Sequence, residues 1–417
     1  MTTVVAEMTP HSPKELASFA NQNLGFLEGR ANQGAYIIGG LGLTLALVLG
    51  LCAGDGLQHF WHSYLLAVCF YTSLSLGGFA FVALQYLTRA GWSIVVRRIA
   101  EIFAVSIKTC GVLFLPIVLS VLMGSSSLYI WNNPELARTD ELIRSKVPYL
   151  NSWFFALRQV IYFSAWTYLT QRFWKASLDQ DRNGNPETTL RLERLSAPTL
   201  LVFAITTTFA SIDWMMSLDP HWFSSIFGIY FFSGCMVGFL AALNLVVNLL
   251  QRRFELLSMI TADHRHDMGK LLFGFMCFWA YIGFSQYLLI WYANVPEETV
   301  WFKVRQSGTW GAVSIAMMIG HFVLPFLGLM PKSMKRDPQM LAAWSLVLLV
   351  MHAVDYYWLI FPTFEIDGPT LPLLSLSCLM GVGGLYVAAW LSIAGQRSLV
   401  PLADPRLPES LAVHNLM

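Results

Sequence analysis

Two aspartates stand where charge is costly. "SIDWMMSLDPHWF" puts Asp213 at the end of one long apolar run, and "MHAVDYYWLIFP" puts Asp355 at the end of another. In each, an aromatic residue follows the aspartate, and a proline comes seven residues after it (Pro220, Pro362). An ionised carboxylate in lipid costs several kcal/mol unless it is paired or hydrated. His352 precedes Asp355 by three residues, so the two share a helix face within hydrogen-bonding reach. They read as a proton-exchanging pair or as a mutually satisfied structural contact. His321, near the middle of another run, could pass protons between half-channels or stay neutral, bonded to a neighbouring helix.

Glu101 and Lys108 are two turns apart on one face of a third run, about 10 Å along the axis. They form either the inner mouth of a proton path or a solvated acid beside a lysine that reaches back to the surface. Arg158 keeps its proton, so it is no relay. It is expected to anchor a carboxylate, with Asp213 the partner at similar depth. Thr206, Thr207, Thr208 and Ser211 precede Asp213; their hydroxyls could hold waters or bond to carbonyls a turn earlier. Together these residues outline a path with Asp213, Asp355 and His352 at the outer end, His321 in the middle, and Lys108 with Glu101 at the inner end. Arg158, Thr206 and Ser211 support it.

The elements that must position these groups are membrane helices. Of 417 residues, 56% are hydrophobic and only 12% charged, about half the charged share of a soluble domain. Ten runs approach or exceed the ~20 residues needed to cross a bilayer. They lie near 35–54, 63–88, 99–123, 152–171, 197–217, 222–250, 269–292, 309–330, 339–361 and 370–394. Barrel strands would be far shorter.

Five of the 26 Lys and Arg (Arg138, Arg144, Lys146, Lys303, Arg305) fall on one side, two (Lys108, Arg158) lie within spans, and the other nineteen share the opposite side with both termini. That asymmetry places both termini in the cytoplasm. No cleaved signal peptide is expected at the polar N-terminus. A net charge of +1 indicates no nucleic-acid partner. The six cysteines sit in apolar runs without C-x-x-C spacing, which supports no disulfide framework, metal site or attached haem. "DQDRNGNPETT" begins like a calcium loop at Asp179, Asp181 and Asn183, but Leu190 stands where the bidentate Glu belongs. It reads as a polar turn.

An internal repeat organises the spans. His62 is followed by Tyr71, and His221 by Tyr230, nine residues on in each case. Asp213 and Asp355 end matching spans in the same way. The repeat unit is four spans, 2–5 and 6–9, and an even number keeps the two copies in the same orientation. The chain thus divides into an N-terminal segment 1–34, span 1 and its loop at 35–61, four-helix bundles at 62–220 and 221–362, and span 10 with a C-terminal tail at 363–417. The many glycines suit close helix packing.

The stretches "SIDWMMSLDPHWFSSIFGIYFFSG" and "HDMGKLLFGFMCFWAYIGFSQYLLIWYANVPEETVW" resemble the NrfD/polysulfide-reductase type of membrane subunit. The chain is most similar to the second such subunit of bacterial alternative complex III, a quinol:cytochrome c oxidoreductase. The resemblance implies two side-by-side four-helix bundles in the bacterial inner membrane and no redox centre within the chain. It also implies an iron–sulfur protein, c-type haem subunits and a paralogous membrane subunit as partners, with lipids around them. Quinol or quinone would then be the ligand near the outer surface, with His221, His62 and Trp222 beside it and Asp213 taking the proton released on oxidation. The rivals are a secondary transporter, a purely structural anchor and a b-type cytochrome. Pro116 and Pro325 do not match in the repeat, which weighs against the transporter. His321 and His352 form the only deep pair for haem, at unequal depth.

Overall fold

The computed structural model describes residues 23–27, 29–370, 372–395 and 397–414. Residues 1–22, most of the expected N-terminal segment, lie outside them. All regular secondary structure among the described residues is helical. Ten long helices are labelled in chain order: α1 (Arg30–Ala53), α2 (Gln58–Leu87), α3 (Gly91–Leu122), α4 (Ser152–Asn183), α5 (Glu187–Leu218), α6 (Phe227–Phe254), α7 (Ala262–Ala293), α8 (Gly308–Leu329), α9 (Pro338–Thr363) and α10 (Pro372–Gly395). Nine of them, all but α4, are long and apolar enough to cross a membrane. The chain is a multi-pass membrane protein.

The exception covers the expected span at 152–171. Arg158, Gln159, Arg172, Lys175 and Asp179 dilute the apolar content of α4, yet it runs beside α5 from end to end. Arg158 near its start bonds Asp213 near the end of α5, and Gln180 near its end donates to Thr189 near the start of α5 at 2.8 Å.

Helix ends follow local chemistry. Asn151 caps α4 by accepting from Phe154 N–H, and Gly184 closes it at φ 63°, a conformation glycine adopts without strain. Asp337 accepts from Gln339 and Met340, with Pro338 in the first turn of α9. The helix of α3 is interrupted at Ser106, between Ile94–Val105 and Ile107–Leu122. Helix α8 carries a π-helical turn over Met318–Val323, just before Pro325. Pro325 lacks the N–H that would bond the preceding turn, and a wider turn accommodates that loss.

Helices α2 and α6 form the centre. Helix α2 packs on α3, α5, α6, α9 and α10, and α6 packs on α2, α5, α7 and α9. Their contact is close at Gly77, where a Cβ would lie 2.3 Å from the Cys235 carbonyl oxygen. Helices α1 and α10 cross as closely: a Cβ on Gly42 would be 2.6 Å from the Gly381 nitrogen. Small residues permit this approach, and van der Waals contact then supplies the attraction that lipid does not.

Candidate functional site

The two aspartates are both buried, but their surroundings differ. Arg158 donates to Asp213 through Nε and Nη2, each at 2.8 Å. Tyr162 O–H adds a bond of 2.9 Å to the same carboxylate. The guanidinium also donates to the Tyr149 carbonyl and lies 3.9 Å from that ring. Gln159 links the cluster to Trp214, whose indole N–H donates to it at 2.7 Å. The expected Arg158–Asp213 pair is present, and Arg158, Gln159 and Tyr162, which donate to the Asp213 carboxylate, all come from α4. A proton could enter this carboxylate only by breaking a two-point ion pair and leaving a buried guanidinium uncompensated.

Asp355 receives only neutral donors. The Tyr230 hydroxyl donates to Oδ1 at 2.5 Å and the Trp279 indole to Oδ2 at 3.1 Å. His352 does not bond to Asp355, although the three-residue spacing puts both beside Gly234. Its Nε2 is instead 2.9 Å from Ser73 Oγ on α2. Ser73 already donates its one proton to the Phe70 carbonyl, so His352 Nε2 must be the donor and Nδ1 the bare acceptor. No described group reaches Nδ1. Gly238 makes room for the ring: a Cβ there would be 2.5 Å from His352 Cδ2.

His321 sits on the π-helical turn of α8, fully buried, its ring centre 4.0 Å from that of Trp279. Neither ring nitrogen has a partner among the described residues. From Ser73 through His352, Asp355, Tyr230 and Trp279 to His321, polar groups from α2, α9, α6, α7 and α8 meet in one buried cluster.

A cavity of about 440 Å³ adjoins this cluster, between α7, α8, α9 and the outer helix Pro296–Gln306. Tyr230 and Trp279 stand at its wall, Phe302 and Met317 give it an apolar lining, and Gln286 and Arg305 add polar groups. Gln286 is buried with Oε1 unpartnered. Arg305, also buried, donates to the carbonyls of Trp301, Trp358 and Leu359 and stacks at 3.4 Å on the Trp301 ring. The guanidinium thereby caps the end of α9 and secures the outer helix over the cavity.

Other predicted residues lie apart. His62 bonds the Gln58 carbonyl at 2.8 Å and stacks on Phe364. His221 is half-exposed and bonds Asp140 at 2.7 Å. Trp222 stacks on Trp301 with centres 4.2 Å apart. None of the three lines the cavity beside Asp355. Thr206 and Ser211 donate to the carbonyls of Val202 and Thr208, the local bonding that leaves no hydroxyl proton for Asp213.

Glu101 is buried, 3.1 Å from Arg98 and 3.7 Å from Arg97. Arg98 reaches Asp181 at 2.6 Å and Arg97 bonds Asp404 of the C-terminal tail. Ser410 of that tail donates to the Trp92 carbonyl. The Gly91 half of α3 is thus enclosed, whereas Lys108, two turns beyond Glu101, is exposed. The structure does not bring Glu101 and Lys108 together.

Sequence reasoning marked Tyr230 only as part of the repeat and missed Trp279, Ser73, Gln286 and the Arg97–Asp404 contact. Only the Arg97, Arg98 and Glu101 spacing, three and four residues, offered a signal. Among the described residues, no three His, Cys, Asp or Glu side chains converge as a metal site. The sequence matches no protein-family model and no curated protein.

Proposed function

We propose that this chain is an integral membrane subunit of a quinol-oxidising electron-transfer complex of the NrfD/polysulfide-reductase type, similar to the ActF subunit of alternative complex III. In this reading its second bundle carries protons for energy coupling. The carrying observation is the buried cluster of Asp355, His352 and His321, in which Asp355 faces no cation and three imidazole nitrogens lack partners. Protonation of Asp355 breaks no ion pair. Bare nitrogens on His352 and His321 can accept protons from water entering the bundle. Asp213, gripped by Arg158, serves as a lock between α4 and α5.

The run of α4 along the whole of α5 supports counting it as a tenth crossing. In this reading an even number puts both termini on the Lys- and Arg-rich side, taken as the cytoplasm of a bacterial inner membrane. The helix pairings favour the repeat: α2 on α3 matches α6 on α7, α2 on α5 matches α6 on α9, and α5 on α6 matches α9 on α2.

The cavity beside Tyr230 favours a second reading, in which a quinol ring occupies it and Asp355 takes the quinol proton through Tyr230. Its size and apolar lining suit a flat ring with polar edges. The test is steady-state quinol:cytochrome c activity of the purified complex with Gln286→Leu. Unchanged KM for quinol supports coupling alone, and a several-fold rise supports a quinol site here. Preparations that retain this chain but show no quinol oxidation with any acceptor would defeat both readings.

A further inference from the structure

Lys108 is an exposed cation in the middle of a membrane helix. It lies about 25 Å from the Gly91 end of α3 and about 21 Å from the Leu122 end. With a hydrocarbon core of about 30 Å, either headgroup layer is roughly 12 Å or more away. A lysine stem spans only about 6 Å, too short to reach a lipid phosphate. Lys108 forms no ion pair or hydrogen bond with any described residue, and a bare ammonium at this depth costs about 3 kcal/mol even on insertion scales.

Its surroundings are shaped for contact. Lys108 lines a groove of about 560 Å³ between α3 and α4, with Gly111, Ala156, Ser164, Thr167 and Tyr168. Ala156 keeps one wall of the groove low enough for a helix to come close, while Gly111 makes room for the Phe163 ring of α4. The hydroxyls of Ser164 and Thr167, one turn apart, form no hydrogen bond with any described residue.

We propose that this groove docks a transmembrane helix of a different subunit, which carries an Asp or Glu at the depth of Lys108. The carboxylate pairs with the ammonium and accepts from the two hydroxyls. A second copy of this chain does not fit, because the carboxylates it holds at depth, Glu101, Asp213 and Asp355, are all buried. The inference goes beyond the redox reading and stands whether or not that reading holds.

The test uses the intact complex, purified in mild detergent through a tag on this chain. A membrane-permeant carbodiimide condenses a carboxyl with a neighbouring amine, forming an amide with loss of water. The expected product joins Lys108 to an Asp or Glu within an apolar segment of another chain. Lys108→Arg should keep that chain bound and lose the cross-link. Lys108→Glu should lower its recovery by about tenfold or more, and replacing the partner carboxylate with Lys should restore it. If Lys108→Glu proves unstable in the isolated chain, the cross-link on the parent decides. Three results would overturn the proposal: no cross-link at Lys108, a cross-link to another copy of this chain, or undiminished partner recovery with a stable Lys108→Glu chain.

Discussion

Tyr230 and Asp355, 125 residues apart in the chain, meet through a hydrogen bond of 2.5 Å. Tyr71, which follows His62 by nine residues as Tyr230 follows His221, turns the other way: its hydroxyl packs against Gly383 of α10 and its ring against Tyr386. Asp213 takes Arg158 instead. Two positions alike in sequence have thus been put to different uses, one as an ion pair and one as a carboxyl among neutral donors.

The Arg158–Asp213 pair should behave as a lock. Arg158→Ala leaves a buried carboxylate unpaired and should destabilise the chain by about 3–5 kcal/mol, whereas Arg158→Met with Asp213→Leu should recover most of that loss. Thermal melts of the chain in detergent check both. Equal losses in the single and double variants would contradict the lock.

His321 should be dispensable for folding. Neither ring nitrogen is bonded, so His321→Phe replaces an unsatisfied polar ring by an apolar one and should change stability by less than about 1 kcal/mol. The same melts, run beside a proton-translocation assay, separate folding from function: stability should hold while coupling falls.

Packing at the bundle interface should tolerate no side chain at Gly77. Gly77→Ala drives a methyl into the Cys235 backbone and should cost about 1–3 kcal/mol. Gly238→Ala should act through a side chain, displacing His352 from Ser73. Lower stability is expected for the first and altered proton coupling for the second.

The outer loop should loosen in acid. Asp140 caps the short helix Glu141–Lys146, and the backbone bond from Ile143, with His221 next in effect, holds its carboxyl below the usual 3.8. A lowered carboxyl contributes fully above its unfolded value, so the clasp should persist at neutral pH and weaken as pH falls below about 4. Hydrogen exchange at 136–146 measures this; protection that is flat through that range would contradict it.

Much of the frame was legible because a membrane helix leaves a long apolar signature, and scarce charges such as Arg158 and Asp213 point to one another. The limits are equally physical. Charged residues hid the length of α4, which runs on to Asn183 beside α5. His352 was read with Asp355, its neighbour on the helix, but it bonds Ser73, 279 residues away, a contact only tertiary packing can create. The sequence marks the C-terminal tail only as a segment after span 10; its docking on the Gly91 end of α3 through Asp404 and Ser410 is a tertiary contact.

The central claim is that Asp355, not Asp213, carries the proton. The direct measurement is the H⁺/e⁻ ratio of quinol-driven turnover by the assembled complex in liposomes, with the parent compared against Asp355→Asn and against Arg158→Met with Asp213→Leu. The account predicts that Asp355→Asn keeps electron transfer but loses the proton movement beyond quinol chemistry, while the double variant keeps both. An unchanged ratio in Asp355→Asn, or a ratio lost only in the double variant, would contradict it.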